Sequence, residues 1–175
     1  LACSAVESRA ILRSIFEDSY NILEASNSSQ MMLLLEQNHP CIAAVMLDNS
    51  LLEKHEHGLQ LPSKDNMLWK RIPAIVVTGQ YLPEMTAAAF QAGATDVIPL
   101  QYDPYAMQKR VQNIVELYTH KGNLEDFVEE QAQILRYAHN ICRYHHERWG
   151  GSGYPEGIAG DKIPICAQAV GLADA

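Results

Sequence analysis

The sequence has no CxxC pair and no dense cysteine spacing, since Cys3, Cys41, Cys142 and Cys166 are scattered along it. That excludes a disulfide framework, and a reducing cytoplasm is the expected location. A chain of this length buries roughly 70% of its unfolded surface and needs no such staples. A basic surplus is also absent. The net charge of −8 divides into −5 over residues 1 to 120 and −3 over residues 121 to 175. Neither part has the electrostatics of a nucleic-acid binder, so DNA is not an expected partner. The longest wholly apolar run, Cys41 to Leu47, falls far short of the roughly 20 residues needed to span a bilayer. No charged-then-apolar signal peptide opens the chain, so membrane insertion is not expected. The first residue is Leu1 rather than methionine, and the natural start is expected upstream. No internal repeat or low-complexity tract is evident.

What remains is alternation. From residue 5 to 120, amphipathic stretches alternate with short apolar runs, the pattern of an α/β fold. AVESRAILRSIFED and SNSSQMMLLLEQNH read as helices, the second with serines at its start and His39-Pro40 at its end. YNILEA reads as a short strand. CIAAVML and PAIVVTG are apolar throughout, as central strands of a parallel sheet covered on both faces must be. PEMTAAAFQAG reads as a helix with a glycine stop, TDVIP as a strand, and Asp103-Pro104 as the start of the helix YAMQKRVQNIVELYTH. With Leu1-Ala2 as the stump of a first strand, the expectation is a doubly wound, five-stranded parallel sheet. Beyond Lys121-Gly122 the apolar residues Leu124, Phe127, Val128, Ile134 and Leu135 fall near heptad spacing, with Asn123 as a cap. This predicts a separate linker helix over 121–136 that pairs or docks, with a homodimer as the expected oligomer. Residues 137–175 hold further helix and the glycine-rich loop GGSGYPEGIAGDKIP.

Ligands of a parallel α/β sheet gather beyond the carboxyl ends of its strands, where Asp48 and Thr78 each follow an apolar run. Asp48 is either a chemical group or the cap of the next turn. The order of elements resembles the response-regulator receiver domain over about residues 1 to 120. The resemblance implies Asp48 as phosphoacceptor, with Thr78 as the hydroxyl that reads its state, and a sensor kinase or another signalling partner. The family's acidic pair falls on Cys3 and Ser4, its lysine on Leu100, its switch aromatic on Val97, and its methionine-proline on Leu51-Leu52. Phosphoryl transfer to a carboxylate needs a cation among the crowded oxygens, and a thiol and a serine replace carboxylates poorly toward magnesium. The expectation is a degenerate receiver that holds magnesium weakly. His55 and His57 are two residues apart and read as a solvated loop rather than a metal site.

HHERWGGSGYP carries the second constellation. Imidazole is a common ligand of transition metals. Two neighbours on a helix project about 100° apart, which suits two ions or one ligand and one core contact better than a single site. Asp174 offers a carboxylate, and His139 reads as a surface residue. Read whole, HHERWGGSGYPEGIAGDKIPICAQAVGLADA resembles the end of the HD-GYP domain, a family of metal-dependent phosphohydrolases that cleave cyclic di-GMP. The resemblance implies His145, His146 and Asp174 as ligands of iron, manganese or zinc. It implies Gly153, Tyr154 and Pro155 as the loop near the dinucleotide, with Arg148 at a phosphate. An aspartate of the family is Gly150 here. The family's earlier half, with its own histidines and its His-Asp pair, is absent, and no His-Asp dipeptide occurs. Two metals bridging a hydroxide need about three protein ligands each, whereas this sequence offers about three in all. The chain as written is therefore expected to be catalytically silent. Its organisation is read as a receiver over 1–120, a linker over 121–136 and an HD-GYP fragment over 137–175, with a non-enzymatic interaction module as the alternative function. With no ion to tie it down, the loop is expected to be mobile.

Overall fold

The computed structural model describes residues 1–55, 58–60, 71–79 and 83–174. Two compact units emerge, Leu1–His120 and Lys121–Ala175.

In the first unit, β1 (Val45–Asp48), β4 (Ala74–Thr78) and β5 (Asp96–Pro99) form a parallel sheet in the order β1-β4-β5. Five strands were expected, and the first two are reduced to single parallel bridges. Ala2 bridges both Ala25 and Leu47. They still occupy strand positions, because backbone bonds run from the Ala2 amide to Met46 and from the Asp48 amide to Ala2. Between β1 and β4, the strands β2 (Glu53–His55) and β3 (Gly58–Gln60) form a short antiparallel pair. His55 thus falls on a strand rather than in the expected loop, and His57 lies outside the described residues.

All of β4 is buried, and its side chains alternate between two cores as the period of two demands. Ala74 and Val76 join Met31, Leu35, Leu47 and Ala89 on the side of α2 (Ser28–Asn38) and α3 (Pro83–Gln91). Ile75 and Val77 join Leu12, Ile15, Phe16, Met107 and Val111 on the side of α1 (Val6–Phe16) and the start of α4 (Pro104–Tyr144). Local chemistry sets the helix starts. The Asn27 side chain accepts from the Gln30 amide at 2.8 Å, and Gln30 reaches back to the Ser26 amide at 2.9 Å. The carboxylate of Asp103 accepts from the Ala106 amide at 2.8 Å, with Pro104 in the first turn.

α4 runs 41 residues without a break, so the expected separate linker helix and its Asn123 cap do not form. A glycine in an exposed helix interior costs only about 1 kcal/mol, and nothing crowds Gly122. The helix therefore propagates through it, and the boundary between the two units falls inside α4. The second unit ends in α5 (Ile165–Ala173). Among the described residues, no helix is long and apolar enough to cross a membrane.

Candidate functional site

At the sheet edge, Asp48 and Thr78 end two neighbouring parallel strands, so the structure brings both to the same carboxyl edge. Thr78 is buried there. Asp48 Oδ1 accepts from the Ser50 amide at 2.8 Å and caps the single helical turn Asn49–Leu51. Around it stand Cys3 and Ser4. The Cys3 thiol is pushed up to about 11, first by burial and then by the charge of Asp48, so it stays protonated near neutrality and offers no anionic ligand. Ser4 Oγ lies 3.0 Å from Ser50 Oγ. The guanidinium of Arg9 donates to the Cys3 carbonyl and pairs with Glu24 at 3.6 Å. The remaining substitutions are absorbed into packing. Leu51, Leu52 and Val97 are buried in the first core, and Leu100 packs against the second.

In the second unit, His145, His146 and Asp174 each offer one ligand atom, and these atoms lie within 4.8 Å of one another. Ligand atoms of one tetrahedral ion with bonds near 2.1 Å stand about 3.4 Å apart, so the three atoms would draw together by up to about 1.4 Å to share an ion. The adjacent histidines were expected to diverge by a helical step. Helix α4 instead ends at Tyr144, and in the turn beyond it the two rings lie 3.9 Å apart at 39°. His145 Nδ1 stands 2.9 Å from the Ile141 carbonyl. A carbonyl only accepts, so Nδ1 carries the proton and Nε2 keeps its lone pair for a metal. His139 is exposed on α4 and outside the cluster.

Two glycines make this approach feasible. A Cβ on Gly171 would stand 2.5 Å from the His145 carbonyl oxygen, and one on Gly153 would stand 2.4 Å from Glu147 Cα and the Arg148 amide. Backbone therefore rests on backbone at both points. The first contact brings α5, and Asp174 after it, to the histidines. The second folds the loop back on itself, and the Tyr154 ring stacks on His146 at 4.7 Å. Pro155 follows Tyr154 through a cis peptide bond and is exposed, as is Arg148.

Glu147 is the residue that sequence reasoning left without a role. It is only 7% exposed. Its Oε1 accepts from the amides of Glu156 at 2.7 Å and Gly157 at 3.0 Å, while Oε2 is buried without a partner. Arg143 pairs with Glu156, and the Gly160 amide donates to the Trp149 carbonyl at 3.0 Å. The loop expected to be untethered is thus tied to the end of α4 by its own protein contacts. The signal in the sequence was a carboxylate directly before a glycine-rich run, whose amides need acceptors.

Residues 108–175 match the family model for the HD domain. A probable cyclic di-GMP phosphodiesterase of Vibrio cholerae is 49% identical over 41 residues, which is 23% of this chain and 9% of that protein. The cyclic di-GMP phosphodiesterase response regulator RpfG of Xanthomonas campestris is 43% identical over 44 residues, 25% of this chain and 12% of that one. A 3'3'-cGAMP-specific phosphodiesterase 2 of Vibrio cholerae is 35% identical over 68 residues, 39% of this chain and 11% of that one. The chain thus spans about a tenth of the length of these curated relatives. Among solved structures, a CheY-like receiver domain from Methanospirillum hungatei superposes with a TM-score of 0.53 at 16% identity, over 69% of this chain and 94% of that one. NtrX from Brucella abortus gives 0.59 at 17%, over 72% and 28%. The first unit has the fold of the CheY-like receiver domains, and the match to the HD-domain model begins within its last helix.

Proposed function

We propose that this chain is a response-regulator signalling protein in which a degenerate receiver is joined to part of an HD-GYP domain. Its ligand class is the cyclic dinucleotides, with cyclic di-GMP first. The observation that carries the reading is the juxtaposition of His145, His146 and Asp174 beside the loop of Gly153, Tyr154 and Pro155. Two imidazoles and a carboxylate suit iron, manganese or zinc. Such an ion, held by these three side chains, would supply a Lewis acid. The chain's own residues do the positioning. Ile141 fixes the tautomer of His145, Tyr154 covers one face of His146, and Glu147 holds the loop. Exposed Arg148 is the donor for a phosphate. Among the described residues this is the one metal-ligating cluster of three or more, one short of the two sets that a bridged pair requires.

As written, the chain is therefore a silent module that works through its partners, a sensor kinase or other signalling protein and a second copy of itself. Asp48 remains the phosphoacceptor by position, with Thr78 beside it, in surroundings that hold magnesium weakly. A cytoplasmic location follows from this role. Metal analysis after dialysis, with a cyclic di-GMP turnover assay, tests the reading. The expected result is fewer than two metal equivalents per chain and no turnover. Two equivalents with turnover, both lost in His145→Ala/His146→Ala, would overturn it.

A further inference from the structure

Helix α4 changes character along its length. Met107 and Val111 are buried, and Ile114 and Val115 pack against the second core. From Leu117 onward the large apolar side chains are exposed, from 52% at Ile134 to 69% at Leu135, with Leu117, Leu124, Phe127 and Val128 between these values. Their spacing is that of a heptad, with Leu117, Leu124, Gln131 and Ala138 at the first core position and His120, Phe127 and Ile134 at the second. The face opposite carries Glu125, Asp126, Glu129 and Arg136.

We infer that residues 116–138 of α4 form a parallel, in-register two-stranded coiled coil with a second copy of this chain. The inference rests on the homodimer of the preceding reading and adds its seam, orientation and register. Three features select this occupant. First, the stripe is self-complementary over three heptads, and its six large side chains expose roughly 600 Å² of apolar surface per chain, so two copies would cover about 1,200 Å², the lower bound for a stable interface. Second, the stripe carries polar side chains at the core positions His120 and Gln131. In a parallel, in-register pair the two Gln131 amides face each other, and each donates to and accepts from the other. In the antiparallel register that overlaps all three heptads, Gln131 would meet His120, so it is the flanking charges that set the orientation. Third, the parallel register brings Glu116 of one copy to Lys121 of the other on both sides of the seam, a complementary pair at the flanking positions. Within one chain Lys121 stands 3.9 Å from Glu125, and both side chains are exposed.

The test uses the full chain. Light scattering across dilution is expected to show a dimer, and Phe127→Glu/Ile134→Glu to weaken it at least about a hundredfold, since two like charges then meet in each layer. Circular dichroism checks that the helix survives. Orientation is read from cross-linking in a Cys41→Ser/Cys142→Ser background. There Gln131→Cys is expected to form an intermolecular disulfide rapidly, and Glu129→Cys on the outer face is not. A monomer at roughly 100 µM overturns both the homodimer and this seam. A dimer that is unmoved by the double substitution, or that cross-links equally through Glu129→Cys, leaves the homodimer standing and overturns the seam.

Discussion

Replacing Gly171 by alanine sets two effects of known size against each other. Gly171 lies inside α5, where helix propensity alone favours alanine by about 1 kcal/mol. The added methyl would stand 2.5 Å from the His145 carbonyl oxygen, whereas ordinary contact begins at 3.4 Å. The obstacle is backbone, which cannot rotate aside as a flexible side chain would, so α5 must retreat by about 0.9 Å. Overpacking of this kind costs roughly 1–3 kcal/mol. Net destabilisation of up to about 2 kcal/mol is expected once the propensity gain is subtracted. Because Asp174 lies three residues beyond, the retreat carries its carboxylate away from both imidazoles, and affinity for zinc or manganese should fall more than tenfold. Thermal melting of the full chain, followed by metal titration, measures both. A variant that melts higher than the parent and keeps its metal affinity would show that the close approach of α5 to His145 is not present in solution, and the argument for the cluster would go with it.

Two further outcomes follow from the same geometry. Glu147→Ala strips the acceptor from two loop amides, and since Glu156 and Gly157 are exposed enough for water to replace part of the loss, about 2–3 kcal/mol is expected, with faster proteolytic cleavage of the loop. Glu147→Gln keeps Oε1 and should cost less than about 1 kcal/mol, so equal losses in the two variants would contradict the clamp. At the sheet edge, acetyl phosphate with magnesium is expected to leave Asp48 unmodified in the intact mass spectrum, because Cys3 and Ser4 replace the carboxylates that would hold the ion. A stable adduct of one phosphoryl group that disappears in Asp48→Asn would refute this.

The readable parts of the chain were those in which pattern and packing coincide. β4 is apolar on both faces and lies between two cores, so its sequence had one solution. The expected strand CIAAVML shortened to Val45–Asp48, because apolar composition marks burial and does not mark where ladder pairing begins. The first two strands shrank to bridges at Ala2 and Ala25, although both residues are buried as expected of strand positions. The change of pattern at Lys121-Gly122 suggests a helix start at Asn123, yet a change in which residues are apolar does not itself end a helix, and α4 runs through it. The histidine pair was legible as a ligand source while its geometry was not. A helix that ends at Tyr144, before the pair rather than beyond it, replaces a fixed 100° divergence with two rings 3.9 Å apart. Glu147 and Gly171 escaped because their roles are tertiary, made across 10 and 26 residues of sequence, where no local spacing rule reaches.

The two candidate sites differ in what surrounds them. At the sheet edge the change is built into the core. Leu100 and Val97 are packed among apolar neighbours, and returning a lysine to position 100 would press a charge against that packing, at a cost that desolvation sets. In the second unit nothing has been filled in. The two imidazoles remain adjacent, the tautomer of His145 is set by Ile141, and the loop is held by Glu147 and by the close approach at Gly153 rather than by an ion. Position 150 is open space, so the missing carboxylate was not traded for packing. What this half lacks is ligands from elsewhere, and those can come from another segment without disturbing the geometry already present. Under the function proposed above, an edge packed with apolar side chains and a three-ligand cluster held by protein contacts leave association as the route by which this chain would act.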